Sequence, residues 1–221
     1  MTAYRNNARF AGAMFLLAMA ASLTGGFMIE SVIKPDFFSA VQGKERFLIV
    51  GIILELTNAL AVVGIAAAFW PVLKKERPAT AAWYFAIRVL ECAACIAAAF
   101  MAIVMTGLIG REATGGTELV AEMLTMMRDA AASYMIPLFF AASAFFLYVM
   151  LYGLKLIPRY ISVWGMAAAA AITIVPFYPA FALRPVLALP IILNEIYLGF
   201  YLLIRGFRRT TERNPGKKAY D

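Results

Sequence analysis

Residues 47–73 read FLIVGIILELTNALAVVGIAAAFWPVL, 27 consecutive positions that carry a single charge, Glu55. Basic residues close the run on both sides, Lys44 and Arg46 before it and Lys74, Lys75 and Arg77 after it. A bilayer core of about 30 Å is crossed by roughly 20 apolar residues in a helix. Within hydrocarbon, a single segment satisfies its backbone N–H and C=O groups only by coiling into a helix. The stretch therefore predicts a membrane span from Phe47 to about Leu73. Composition carries the same reading to the whole chain. Of 221 residues, 63% are hydrophobic and 15% charged, with a mean hydropathy of +0.80, more apolar surface than a soluble domain of this size can bury in its own core.

Working outward, five further runs have the same character. The first is 8–33, preceded by Arg5 and Arg9; it stays apolar well past Ala18-Met19-Ala20, so it predicts a retained span and not a cleaved leader. The third is 81–109, opened by the interfacial pair Trp83 and Tyr84. The fourth is 130–152, with Pro137 in its first half, and the fifth is 160–176, through the small-residue run Ala167–Ala171 that lets backbones approach closely. A tight corner at 177–184 contains Pro179, and the sixth run, 185–207, has Pro185 in its first turn and Pro190 inside it. Between runs three and four, Gly115-Gly116 breaks the chain and Thr117 can cap a new helix. Glu118, Glu122, Thr125 and Asp129 then fall on one stripe, with Leu119, Val120, Met123, Leu124 and Met127 elsewhere. That pattern predicts an amphipathic helix lying in the membrane interface. The expected architecture is all-α: one domain over 1–221, a six-helix transmembrane bundle with one interfacial helix and a basic tail at 208–221.

Orientation follows from the basic residues. Arg5, Arg9, Lys74, Lys75, Arg77, Lys155, Arg159, Arg205, Arg208, Arg209, Arg213, Lys217 and Lys218 make 13 on one side. Lys34, Lys44, Arg46, Arg111, Arg128 and Arg184 make six on the other. The positive-inside rule then places both termini in the cytoplasm. The same segregation argues against nucleic acid, since no basic groove interleaved with aromatics is present.

Several chemistries are excluded or disfavoured by residue inventory. The chain has no histidine, which removes His general bases, His-ligated haem and the usual zinc sites. Cys92 and Cys95 form a CxxC inside an apolar run, without the exposed electropositive setting that activates a thiol, and read as small helix residues. No phosphate loop, dinucleotide fingerprint or Gly-x-Ser-x-Gly elbow occurs. Neither a cofactor nor a metal is expected.

What remains are polar residues inside spans, which cost about 2.5–3.5 kcal/mol each on insertion scales and persist when paired, protonated or used. Glu55 and Asn58 share a face of the second span; Arg88 and Glu91 share a face of the third. Asn194 and Glu195 lie one turn after Pro190, whose missing N–H frees the carbonyl of Val186. At about 1.5 Å per residue, Glu55, Glu91 and Glu195 all lie roughly 12–15 Å from a span end, near mid-bilayer. Three carboxylates beside the single Arg88 cannot all be ionised in low dielectric, so one or two are expected to carry a proton. Arg88, Glu91 and Glu195 are expected to form one cluster with Glu55 and Asn58 close by. Glu30 and Asp129 are expected at the outer interface, simply solvated.

Several stretches carry a resemblance. Ala8-Arg9-Phe10-Ala11-Gly12 opens the first span and Ile87-Arg88-Val89-Leu90-Glu91 lies in the third. Ile157-Pro158-Arg159-Tyr160-Ile161-Ser162-Val163-Trp164-Gly165 opens the fifth, and Asn194-Glu195-Ile196-Tyr197-Leu198-Gly199-Phe200 lies in the sixth ahead of Arg205-Gly206. Together they resemble a largely bacterial family of six-helix membrane proteins of unknown function, DUF family 4386. The resemblance implies that Arg88, Glu91 and Glu195 occupy recurring family positions. Members often carry histidines around span four, where this chain has Ala130–Ser133 and Ser143. The resemblance implies no established activity, and it points to a bacterial inner membrane.

Three functional classes are compatible with these residues. The first is binding or transport of a small lipophilic or cationic solute in an acidic intramembrane pocket lined by Glu55, Asn58, Arg88, Glu91, Asn194 and Glu195, with a homodimer as one way to enlarge the pathway. The second is an intramembrane enzyme using a protonated Glu as general acid, for which no nucleophile or metal cluster speaks. The third is an accessory or assembly protein whose polar cluster only clamps helices together. The first is the expected reading, and a non-enzymatic role the expected outcome.

Overall fold

The computed structural model describes residues 2–34, 36–174, 177 and 184–208. Among them the chain is helical throughout, with no strand: α1 Thr2–Ile33, α2 Phe37–Ala40, α3 Glu45–Glu76, α4 Pro78–Thr106, α5 Gly115–Ala130, α6 Ile136–Leu154, α7 Arg159–Ile174 and α8 Arg184–Ile204. Five helical stretches are long and apolar enough to cross a membrane. The 160–176 run forms α7, 16 residues long, about 24 Å of helix. The corner around Pro179 and the tail beyond Arg208 lie outside the described residues.

Amphipathic periodicity explains which faces meet. On α4 the buried positions Ala81, Tyr84, Arg88, Glu91, Cys95, Ala98, Ala102 and Met105 recur at spacings of three and four, the seam of a helix packed at a shallow angle. On α3 the buried seam runs Leu48, Ile52, Ala59, Val62, Ala66, Phe69 and Leu73, and Glu55 occupies the position between Ile52 and Ala59. Round the molecule α1 packs on α3, α3 on α4, α4 on α6, α6 on α7, α7 on α8 and α8 back on α1. Close approach of α1 and α8 depends on glycine: a Cβ on Gly12 would stand 2.6 Å from the carbonyl oxygen of Gly199. The outward faces are apolar, with Leu60, Phe100, Phe27 and Ile204 among many large exposed side chains, as hydrocarbon requires and water does not tolerate over such an area.

The basic segments meet at one end. The Phe207 ring lies against Tyr4 (5.4 Å) and Phe69 (5.3 Å), Arg208 N–H donates to the carbonyl of Leu156 (2.7 Å), and the Arg77 guanidinium lies beside Gly153. The start of α1, the 76–78 junction, the 154–159 connection and the end of α8 thus share this basic end. At the opposite end a second core gathers Ile29, Val32, Phe37, Leu48, Met105, Leu108 and Ala121.

Two expectations need correction in the 110–137 region. Gly115 and Gly116 do not break the chain; they form the first turn of α5. The cap is Thr114, whose hydroxyl accepts from Thr117 N–H while Thr117 Oγ1 accepts from Thr114 N–H (2.9 Å), because an extended Thr at 114 satisfies two end groups that Thr117 alone cannot. Nor does a new helix start at 130. α5 runs through one π turn, Ala131–Met135, into α6, making a continuous helix over Gly115–Leu154. Pro137 follows that turn; it has no N–H for the carbonyl of Ser133, and Ile136 N–H reaches back to Ala131 in the wider register.

Candidate functional site

The polar residues within the bundle form two separate groups, both threaded on the α4 seam. The first is a chamber among α4, α6, α7 and α8. Arg88 sits about 15 Å from the basic end of α4 and is 1% exposed. Its Nη1 donates to both oxygens of Glu91, 3.2 Å each, the i, i+3 pairing that the helix imposes. Ser143 of α6 donates to Glu91 Oε2 (3.1 Å). Nη2 faces Glu195 of α8 at 3.9 Å, an ion pair too long for a hydrogen bond. The guanidinium lies 5.7 Å from the ring centroids of Tyr84 and Phe140, where ring faces favour a cation. Asn194 is fully buried and donates to the carbonyl of Ile161 (3.1 Å), tying α8 to α7.

The chamber holds buried polar atoms with nothing to bond. Arg88 Nε and Nη2, the hydroxyls of Tyr84, Tyr148 and Ser162, and Asn194 Oδ1 have no hydrogen-bond partner. Buried polar groups are otherwise satisfied almost without exception, and these six atoms depart from that rule. Gly165 of α7 makes room for the Tyr148 ring, since a Cβ there would stand 2.5 Å from it.

The second group lies toward the opposite end. Glu55 does not join Arg88; it is held by Arg128 of α5, whose Nη1 donates to Oε2 (2.8 Å) and Nη2 to Oε1. Nη1 also donates to the carbonyl of Ala98 (2.9 Å). Arg128, assigned by sequence to an external connection, is 4% exposed. The physical reason is the α3 seam: a carboxylate at Glu55 needs a cation, and α5, packed on α4, presents one. Asn58 faces Cys95, donating to its Sγ at 3.8 Å. Both cysteines are free and buried. Glu30 and Asp129 are not merely solvated, for Lys34 pairs with both, at 3.2 and 3.8 Å.

Beside the Glu55–Arg128 pair is a partly open cleft of about 220 Å³, walled by Ser22, Gly26 and Glu30 of α1, Glu55 and Asn58 of α3, and Cys95 of α4, and closed by the π turn. Of the six sequence candidates, Glu55 and Asn58 line this cleft, while Arg88, Glu91, Asn194 and Glu195 belong to the chamber. Cys95 lies between them on α4, in the electrostatic reach of both Glu55 and Glu91. Sequence reading missed Arg128, Tyr84 and Tyr148 as site residues, and named Ser143 only as a position where the resemblance implies histidine in other members. Tyr84 was legible, four residues before Arg88 on the same seam; Tyr148 carried no signal.

Residues 10–206 match the model of one protein family, described as Domain of unknown function (DUF4386). Neither the curated proteins nor the solved structures include a match to the chain.

Proposed function

The chain belongs to the DUF4386 family, and on that premise we propose that it is a multi-pass protein of the bacterial inner membrane that binds a small amphipathic solute with a cationic or hydrogen-bond-donating end. The observation that carries this reading is the cleft beside Glu55. Its lining combines polar side chains, Ser22, Glu30, Glu55, Asn58 and Arg128, with apolar Ala98, Ala132 and Ile136, and small-molecule sites use such a mixture. Both terminal nitrogens of Arg128 are engaged, by Glu55 and the Ala98 carbonyl. The acceptors that line the cleft are the Asn58 carbonyl, the Ser22 hydroxyl and the Glu30 carboxylate, the last shared with Lys34. The acidic pocket expected from sequence becomes a narrower one, with Glu55 fixing Arg128 as a wall. A π turn closes the cleft, and such turns recur at functional sites.

The proposal includes six crossings, with α7 as the fifth, both termini cytoplasmic, and the exposed apolar flank of α5, Leu119, Val120, Met123, Met126 and Met127, lying in the interface. The gathering of basic segments at one end supports that orientation.

A graded series of n-alkylammonium ions, added to the detergent-solubilised protein, tests the solute reading by thermal shift and native mass spectrometry. At least one member should raise the melting temperature, and Glu30→Gln with Asn58→Ala should abolish the shift. No shift with any member, or an undiminished shift in the double variant, would overturn it.

A further inference from the structure

The guanidinium of Arg88 is held firmly on one side and loosely on the other. Nη1 serves Glu91, which Ser143 also holds. Nε and Nη2 make no well-formed hydrogen bond although the residue is 1% exposed, and the Tyr84 hydroxyl is the uncharged oxygen that interacts with the guanidinium. In a guanidinium these two nitrogens project parallel hydrogens, the fork that grips a carboxylate with two bonds. The carboxylate at hand is Glu195, with Oε1 3.9 Å from Nη2. It is 7% exposed and makes no hydrogen bond among the described residues.

The charges acting on Glu195 are Arg88 and Glu91, both from α4. Tyr84 of α4 and Tyr148 of α6 add hydroxyls within its electrostatic reach. The elements flanking α8, α1 and α7, bring no charged group to it among the described residues. One cation thus faces two carboxylates, and Glu91 already has it. An ionised Glu195 would be a buried anion without a hydrogen bond, about an ångström outside the reach of a two-pronged donor, an arrangement that should close at once. A neutral carboxyl has no such pull, and it leaves the fork open as seen.

We propose that Glu195 is a buried proton-exchange site, and that loss of its proton draws the carboxylate onto Nε and Nη2 of Arg88, clasping α8 to α4. The proton leaves Glu195 for solvent, where base takes it up as the pH rises. The carboxylate gains two charge-assisted bonds, and reprotonation releases them. This inference uses no part of the solute reading, and a cleft that binds nothing leaves it standing.

Infrared spectroscopy of the purified protein tests it. At neutral pH the spectrum should contain a protonated-carboxyl band that shifts in D2O, disappears in Glu195→Gln and persists in Glu55→Gln. A second measurement uses the wild type alone: with ¹⁵N-labelled arginine, the buried Nε resonance should move on alkalinisation with the same midpoint as the loss of the band. A neutral-pH spectrum without the band, a band that survives Glu195→Gln, or a buried Nε resonance indifferent to its loss would each overturn the proposal.

Discussion

Arg128 and Glu55, 73 positions apart, meet through both terminal nitrogens of one and both oxygens of the other, with side chains only 5% and 14% exposed. This pair fixes α5 to α3 beside the cleft. Removing one partner of such a buried pair strands the other at a cost of about 3–5 kcal/mol. Arg128→Leu and Glu55→Leu should each destabilise the detergent-solubilised protein on that scale. The double variant should lose clearly less than the two losses added. Additive losses in a denaturation series would show that the pair contributes nothing as a pair.

Within the chamber the cost should fall unequally on the two acids. Glu91→Gln removes the carboxylate that Arg88 serves with two bonds, and arginine cannot neutralise itself by losing a proton. The loss should approach about 3–5 kcal/mol, less what Glu195 recovers by ionising onto Arg88, and adding Arg88→Leu should restore part of it. Arg88→Leu alone should cost less, because a stranded carboxylate can take up a proton. Glu195→Gln should cost little. Melting temperatures of these four variants decide it; a Glu195→Gln loss equal to that of Glu91→Gln would refute the inequality.

Two glycines of α1 should respond in opposite directions to alanine. A Cβ on Gly12 would press on the Gly199 carbonyl oxygen at 2.6 Å and the Leu203 nitrogen at 2.9 Å, backbone atoms that cannot swing aside. Gly12→Ala should therefore cost roughly 1–3 kcal/mol, the scale of overpacking. Around Gly26 nothing lies within 4 Å, so Gly26→Ala should be neutral or gain up to about 1 kcal/mol of helix propensity. Equal melting temperatures for the two variants would contradict this packing.

Reporter fusions check the orientation. Fusions at the carboxyl terminus and at the 76–78 junction should read cytoplasmic, and fusions within 107–114 should read external. Reversal at two of these sites would sink the proposed topology.

Cys92 and Cys95 should be dispensable. Both are free and buried, and the one polar contact, Asn58 to Cys95 Sγ at 3.8 Å, is weak. Replacing both by alanine should leave the melting temperature unchanged within error, and a water-soluble maleimide should label neither in the folded protein. Rapid labelling would show that water reaches the seam.

The sequence by itself determined the helical class, the apolar runs, the segregation of basic residues, and the local pair Arg88–Glu91. All of these depend on spacing along one segment, where the 3.6-residue turn fixes which side chains meet. The heptad on α4 was equally legible, and with it the place of Tyr84. Only the tertiary structure decided that Glu55 belongs to Arg128 and not to Arg88, that 115–154 is one helix through a π turn, and that Glu195 faces Nη2 of Arg88. Those outcomes depend on how neighbouring helices are rotated and raised relative to one another. Packing of apolar and small side chains sets that rotation, and the spacing of charges within a single helix contains no record of it.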